Sequence, residues 1–179
     1  DRSNEEIRDI YIARKTGDIW EPSYSVHNDG WKIAGCPVNG PMLSIRSNQI
    51  AIAWYTAAND EAKVNVAFSD DLGKTFSNPI RVDNGMPLGR VDLDWINDSE
   101  VLVSWIESSE LSSNIVVRKI KNDLTIRDAM VIAEVSKGRI SGYPQMETHK
   151  DQILFSWTEI GTETSVASKW IPLSNIVNN

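Results

Sequence analysis

Hydrophobic and polar residues alternate along most of the chain, and three of the alternating segments are copies of one another. Each copy carries a tryptophan at the same place: 49–56 (QIAIAWYT), 100–107 (EVLVSWIE) and 152–159 (QILFSWTE). Alternation with a period of two predicts β-strands. Trp54 and Trp105 are 51 residues apart, and Trp105 and Trp157 are 52 residues apart, so the strand recurs at a nearly constant spacing.

The segments around each tryptophan strand predict the remaining strands of a repeating unit. First strands are expected at 41–45, 90–96 and 144–148, third strands at 63–68, 114–120 and 164–171, and fourth strands at 79–82 and 130–135. Loops rich in Asn, Asp, Ser and Gly separate them, as in meandering antiparallel sheets. Apolar residues nowhere recur at the spacing of a helix, so the sequence predicts an all-β fold.

A repeat of four strands and about 51–52 residues predicts a β-propeller of four-stranded antiparallel blades. A two-sheet sandwich also has evenly spaced short strands, but it does not explain the recurring tryptophan. We expect a single partial propeller domain, 1–179, of about three blades' worth: the end of a blade at 1–34, with strands 9–14 and 20–26, full blades at 35–84 and 85–136, and an incomplete blade at 137–179.

Blades bury their faces against neighbouring blades, so this stretch alone would expose two large apolar faces. The remaining blades are therefore expected from upstream sequence or from a second chain.

Charge and cysteine content narrow the classes of function. The 179 residues have a net charge of −7, with Lys and Arg scattered along the chain, whereas nucleic acids and anionic membranes require a clustered positive field. No apolar run approaches the roughly 20 residues of a membrane span. Cys36 is the only cysteine, accompanied by only His27 and His149, so neither a disulfide nor a metal site is predicted, and no cofactor is indicated.

The segment 69–76 carries the most specific motif in the chain. It reads SDDLGKTF and matches the Asp-box pattern Ser-x-Asp-x-Gly-x-Thr-aromatic at every defined position: Ser69, Asp71, Gly73, Thr75 and Phe76. Asp71 is expected to accept hydrogen bonds from the turn backbone and Thr75, Gly73 to take a positive φ, and Phe76 to pack beneath the turn. The motif predicts a structural turn, because one or two carboxylates are too few ligands for calcium.

The motif and the repeated strands resemble those of sialidase-like, Asp-box (BNR) repeat β-propellers, over most of the chain. The segments 35–41 (GCPVNGP) and 87–92 (PLGRVD) are similar to a group of bacterial sialidase-like proteins. This resemblance implies six blades in the complete ring, peripheral Asp-boxes, a secreted or periplasmic location and glycoside hydrolase activity of the exo-sialidase type. It also implies that part of the active site lies in earlier blades, outside this sequence.

Ligand sites of propellers lie where the loops leading into the innermost strands converge, which places the candidates at 35–41, 88–92 and 139–144. Arg90 and Arg139 are candidates for bidentate contact with a carboxylate or sulfate, as sialidases use arginines. The alternative for each is a salt bridge to a neighbouring blade, for instance with Asp92 or Asp94. Asn39 and Asp92 are further substrate-binding candidates in the same loops.

Three aromatic or sulfur side chains have two interpretations each. Tyr143 is the candidate for the nucleophile that the resemblance implies, but no clear glutamate partner accompanies it, which favours a packed inner-strand tyrosine. Trp31 would stack on a sugar or anchor its polar loop. Cys36 is expected to be buried rather than exposed.

Glu107 and Glu159 end equivalent strands, which favours a shared structural role over a catalytic pair of carboxylates. Two functions remain open from the sequence. The first is a glycan-active hydrolase with a pocket on the central face and a carbohydrate ligand. The second is a non-catalytic propeller that serves as a ligand- or protein-binding scaffold.

Overall fold

The chain begins with an interrupted hairpin. The structure is a computed structural model that describes residues 5–110, 112–136 and 142–177. The four strands of this hairpin are short: β1 (Tyr11–Ile12), β2 (Lys15–Thr16), β3 (Ile19–Trp20) and β4 (Tyr24–Ser25). β1 pairs with β4 and β2 with β3, both antiparallel, so the predicted strands 9–14 and 20–26 do face each other. Pro22, which has no N–H to donate, lies between β3 and β4, where the ladder is broken.

Two four-stranded sheets and one three-stranded sheet follow, each an antiparallel meander. The first sheet contains β5 (Met42–Arg46), β6 (Gln49–Thr56), β7 (Lys63–Ser69) and β8 (Ile80–Arg81). The second contains β9 (Pro87–Trp95), β10 (Glu100–Ser108), β11 (Ser113–Lys121) and β12 (Ile126–Val135). The third contains β13 (Gln145–His149), β14 (Gln152–Ile160) and β15 (Thr164–Pro172).

The all-β prediction is confirmed apart from two short helical segments. A five-residue helix, α1 (Leu173–Val177), follows β15, and Ala58–Asp60 form a single 3-10 turn. Neither is long enough to show a helical repeat of apolar residues, which is why the sequence does not predict them. Ile176 of α1 is buried in the same apolar cluster as β14, so tertiary packing supports the helix.

The alternation of β6 and β10 buries side chains on both faces of each strand. Val101, Val103 and Trp105 of β10 pack with the first sheet, whereas Leu102 and Ile106 pack with the third. Trp54 packs in the same way against the N-terminal hairpin, beside Ile10 and Val26. Trp54 and Trp105 are each only 1% exposed. The repeated tryptophan therefore fills the space between its own sheet and the preceding one.

Hydrogen bonds between neighbouring sheets join positions that are about one repeat apart. The Asp94 carboxylate accepts from the Ser44 hydroxyl at 3.1 Å and from the backbone N–H of Thr148 at 3.1 Å, over 50 and 54 residues. The Trp95 indole N–H donates to the Ser44 carbonyl at 3.1 Å. These contacts join β9 to β5 and β13, the first strands of the three sheets.

Asp92, two residues before Asp94 on β9, makes a similar contact with the third sheet. Its carboxylate accepts from the backbone N–H of Met146 at 2.6 Å and from that of Leu93 at 2.8 Å. Burial raises the pKa of Asp92 to about 6, although the hydrogen bonds from Met146 and Leu93 act in the opposite direction. The carboxylate at this junction of strands is therefore ionised at neutral pH at a cost to the folded state.

We predict that wild-type protein loses stability relative to Asp92→Asn as the pH rises from about 4 to about 6. The folded state holds this proton more tightly than the unfolded state, where the carboxyl has its ordinary pKa of 3.8, so protonation favours folding. The full shift corresponds to about 3 kcal/mol at roughly 1.4 kcal/mol per pKa unit, of which about 2 kcal/mol is lost between pH 4 and pH 6, and urea unfolding across this range measures it. Parallel pH profiles of wild type and Asp92→Asn would contradict the assignment; Asp18→Asn, on the exposed hairpin, is the control.

Candidate functional site

A cavity of about 310 Å³ lies where the loop that leads into β5 meets the start of β9. The end of β6 closes it on the remaining side. Its wall includes Trp31, Cys36, Asn39, Tyr55, Leu88 and Arg90. Two of the three segments singled out in the sequence, 35–41 and 88–92, therefore contribute to one concave surface, although β9 begins at Pro87 and makes 88–92 part of the strand rather than a loop.

Asn39 joins the loop before β5 to the backbone of β9. Its side-chain oxygen accepts from the Arg90 backbone N–H at 2.9 Å, and its side-chain nitrogen donates to the Leu88 carbonyl at 3.2 Å. Gly89 and Arg90 both have left-handed backbone, with φ of 81° and 56°. A Cβ at Gly89 would lie 2.6 Å from the Asn39 amide carbon, so a larger residue there would displace the amide and break its two hydrogen bonds.

Arg90 and Tyr143 join the loop before β13 to the start of β9 and to the loop before β5. The Arg90 side chain donates to the Gly142 carbonyl, and its guanidinium carbon lies 5.0 Å from the centre of the Tyr143 ring. The Tyr143 hydroxyl in turn donates to the Val38 carbonyl. Arg90 is only 7% exposed, whereas Tyr143 is 45% exposed. The pair therefore ties together the entrances of all three first strands, with Tyr143 outermost.

Trp31 forms part of the cavity wall and is only 9% exposed. Its ring meets that of Tyr55 edge to face, with centroids 5.6 Å apart. The carboxylate of Asp9 accepts from the backbone N–H of Trp31 at 3.3 Å and of Gly30 at 2.9 Å. This burial fits the loop anchor better than an open stacking platform.

Asp92, Arg139 and Cys36 have three different outcomes. The carboxylate of Asp92 is engaged at the contact between β9 and β13. Arg139 lies outside the described residues. Cys36 is exposed, so the expectation of burial is wrong: its loop of Gly and Pro residues packs no apolar layer over the thiol.

Glu107 and Glu159 have different surroundings, so the expected shared role is not found. Glu107 is buried and accepts from the backbone N–H groups of Met86, at 2.5 Å, and Asn84, at 3.2 Å. Glu159 is exposed and lines a separate cavity of about 510 Å³ between the second and third sheets. Glu107 therefore holds the loop that leads into β9, in agreement with a structural role for that residue alone.

Tyr55 is a cavity residue that the sequence does not single out. It follows Trp54 and faces away from it, because successive strand residues point to opposite faces. Burial raises the pKa of its hydroxyl. The signal available in the sequence was its position as an aromatic at the end of a repeat strand, where the other two copies carry Ile106 and Thr158.

The segment 69–76 lies at the other end of the first sheet, between β7 and β8. The Asp71 carboxylate accepts from the backbone N–H groups of Lys74 at 2.9 Å and Thr75 at 3.0 Å, and from the Thr75 hydroxyl at 2.8 Å. The hydrogen bonds from Thr75 and Ser69 hold the pKa of Asp71 well below its usual range. Gly73 has a φ of 73°, and Phe76 packs against the cluster around Trp54.

The described residues show neither a metal centre nor a membrane-spanning helix. No three His, Cys, Asp or Glu side chains within the described ranges are grouped so that they could hold a metal ion. No helix in that part of the chain is long and apolar enough to cross a membrane.

Comparison with known proteins gives matches among solved structures only. No protein-family model matches the sequence, and no curated protein matches it. A Hadza microbial sialidase, Hz136, is 16% identical over 94% of this chain and 40% of its own length, with a TM-score of 0.58. A thermostable family-43 glycoside hydrolase is 16% identical over 92% of this chain and 62% of its own, with a TM-score of 0.57. The NanB sialidase from Streptococcus pneumoniae has a TM-score of 0.50 at 15% identity, over 93% of this chain and 27% of its own.

These similarities establish the fold. The chain has a sialidase-like propeller fold, and its antiparallel four-stranded sheets are propeller blades. The chain spans 40% of the Hadza sialidase and 62% of the family-43 hydrolase, so what it contains corresponds to part of a propeller.

We predict that Gly89→Ala destabilises the protein by about 1–3 kcal/mol more than Gly17→Ala. Both glycines have left-handed backbone, so both variants carry the cost of placing a side chain there, about 1–2 kcal/mol. Only at Gly89 does the new Cβ collide with a neighbour, because no atom lies within 4 Å of the Cβ position at Gly17. Urea unfolding of the two variants measures the difference. Equal destabilisation by the two substitutions would show that the Asn39 side chain does not restrict the residue at position 89.

Proposed function

We propose that this chain is part of a glycan-active propeller hydrolase and that the cavity at Asn39, Tyr55 and Arg90 binds a carbohydrate. The structural neighbours include sialidases and family-43 glycoside hydrolases, and this supports the general class. One observation carries the proposal: the entrances of three neighbouring first strands are tied together around a single cavity. Propeller ligands bind where such loops converge.

The size and chemistry of the cavity suit one sugar ring. Its volume of about 310 Å³ is at the lower end of the range for ligand sites, roughly 300–1,000 Å³. Trp31 and Tyr55 supply apolar surface, and Asn39 and Arg90 supply polar groups beside it. In this proposal Arg90 is the principal substrate-binding side chain, supported by Arg139. Trp31 forms part of the apolar wall, and Asp92 acts only indirectly, by joining β9 to β13.

Tyr143 acts in this proposal through Arg90 rather than as the nucleophile. Its hydroxyl already donates to the Val38 carbonyl, and its ring covers the Arg90 guanidinium. A glycosidase of the ordinary type needs two carboxyl groups on either side of the scissile bond. The described residues that line the cavity include no Asp or Glu, so these groups would come from blades outside this sequence.

The same lack of an acidic residue in the described cavity wall favours a second candidate, a non-catalytic propeller that binds carbohydrate. In both cases we propose full blades at 35–84 and 85–136, partial blades at 1–34 and 137–179, and a ring completed by further sequence or a second chain. A secreted or periplasmic location remains part of the proposal.

We predict that the protein with its complete ring hydrolyses one member of a panel of fluorogenic glycosides that includes an α-sialoside, a β-xyloside and an α-L-arabinofuranoside. Arg90→Ala should lower kcat/KM by about 100-fold, the effect expected from misplacing a bound substrate. Arg46→Ala is the control, since Arg46 pairs with Asp98 on the exposed surface.

Three results separate the two candidates. Turnover that Arg90→Ala lowers by about 100-fold supports the hydrolase. Binding of the panel sugars without turnover, measured by calorimetry and lost in Tyr55→Ala, supports the non-catalytic binder. Neither turnover nor binding by a folded protein would contradict both.

A further inference from the structure

A second cavity, of about 460 Å³, lies at the opposite end of the first two sheets from the cavity at Arg90. Its walls come from the start of β6 at Gln49, the end of β9 at Trp95 and the turn after β11 at Asn122. Gln49 and Tyr55 are six positions apart on β6, which separates the two cavities by about 20 Å at 3.3 Å per residue. Both sheets that bound it have all four strands, so its shape does not depend on further blades.

The floor of this second cavity is aromatic. Phe68 and Trp95 are each more than nine-tenths buried, and their ring centroids lie 5.9 Å apart. Phe76 adds a half-buried ring at the side. Such rings present apolar surface to a ligand while the polar groups around them fix its orientation.

The rim carries a carboxylate and two side-chain amides. Asp70 supplies a carboxylate, Asn122 an amide, and Gln49 a second amide. The side-chain oxygen of Gln49 is shielded from water and has no hydrogen-bond partner among the described residues. A buried carbonyl without a donor is unfavourable, and the terminal torsion of glutamine is soft, so a ligand that brings a donor would turn this amide toward itself.

The turn beside the cavity is held in place without a ligand. Ser69 donates to the Asp71 carboxylate at 2.8 Å, and the Thr75 hydroxyl donates to the same carboxylate at 2.8 Å. The Asn48 side chain also donates to the Asp70 carbonyl at 2.6 Å, which fixes the backbone that carries the Asp70 carboxylate. A preorganised rim reduces the entropy lost on binding.

We propose that this second cavity binds a neutral sugar unit, independently of the site proposed at Arg90. A sugar offers several O–H donors for Gln49, Asp70 and Asn122 and a C–H face for the aromatic floor. Asp70 is the only charged side chain of the described lining, so a phosphate or an acidic sugar would be repelled. Its volume is within the range of ligand sites and exceeds that of the cavity at Arg90.

The test is a titration of ¹⁵N-labelled protein with methyl glycosides of xylose, glucose, galactose and N-acetylglucosamine. We expect saturable shifts of the Gln49 side-chain amide and the Trp95 indole with at least one of them, with a Kd of about 1 mM or weaker. Gln49→Leu should weaken this binding at least about tenfold while leaving the protein folded, because it removes an unsatisfied oxygen. Gln152→Leu is the matched control, since Gln152 begins the equivalent strand β14 but is exposed.

The resonances distinguish this site from the one at Arg90. Tyr55→Ala should abolish shifts of the Trp31 indole without changing those of Trp95, so either site can fail alone. Three outcomes would overturn the proposal: no shift at Trp95 with any glycoside, equal affinity of wild type and Gln49→Leu, or shifts at Trp95 only with a lysine-rich peptide, which would indicate a protein partner.

Discussion

The carboxylate of Asp94 joins its own strand, β9, to β5 and β13, and these three strands belong to three different sheets. It accepts from Ser44 on β5 and from Thr148 on β13, which are 50 and 54 residues away in opposite directions along the chain. A side chain on the first strand of the middle sheet thus fixes the spacing to both neighbours. The segments before β5, β9 and β13 end at these strands. The geometry of the cavity at Arg90 therefore depends on the same contact.

The repeat explains why such contacts recur. When units of about 52 residues stack side by side, equivalent positions become neighbours in space, so one repeat is also the usual separation of contacting residues. The bond from Arg90 to Gly142 spans 52 residues, and the bond from the Arg90 backbone to Asn39 spans 51. Hydrogen-bonded pairs on the strands and in the loops are therefore both separated by about one repeat. The residues of the loops can vary without changing how the sheets pack against each other.

Much of the fold is predictable from the sequence because it depends on local pattern. Alternation and the repeated tryptophan predict β6, β10 and β14, and the turn residues predict the hairpins between them. The site is less accessible, because it depends on contacts between distant residues. Asn39 and Gly89 look like ordinary loop residues until the fold places one against the other. Cys36 is misassigned by the average behaviour of free cysteines, and nothing in the sequence indicates that the Asp92 carboxylate is engaged between β9 and β13.

Inner-strand contacts at the repeat distance hold the blades in register, and a double-mutant cycle on Asp94 and Thr148 tests this most directly. The variants are Asp94→Ala, Thr148→Val and their combination, each measured by urea unfolding. A coupling free energy of about 1–3 kcal/mol is predicted, because the two side chains share a partly buried hydrogen bond between sheets. Additive effects, within about 0.5 kcal/mol in three folded variants, would contradict the claim.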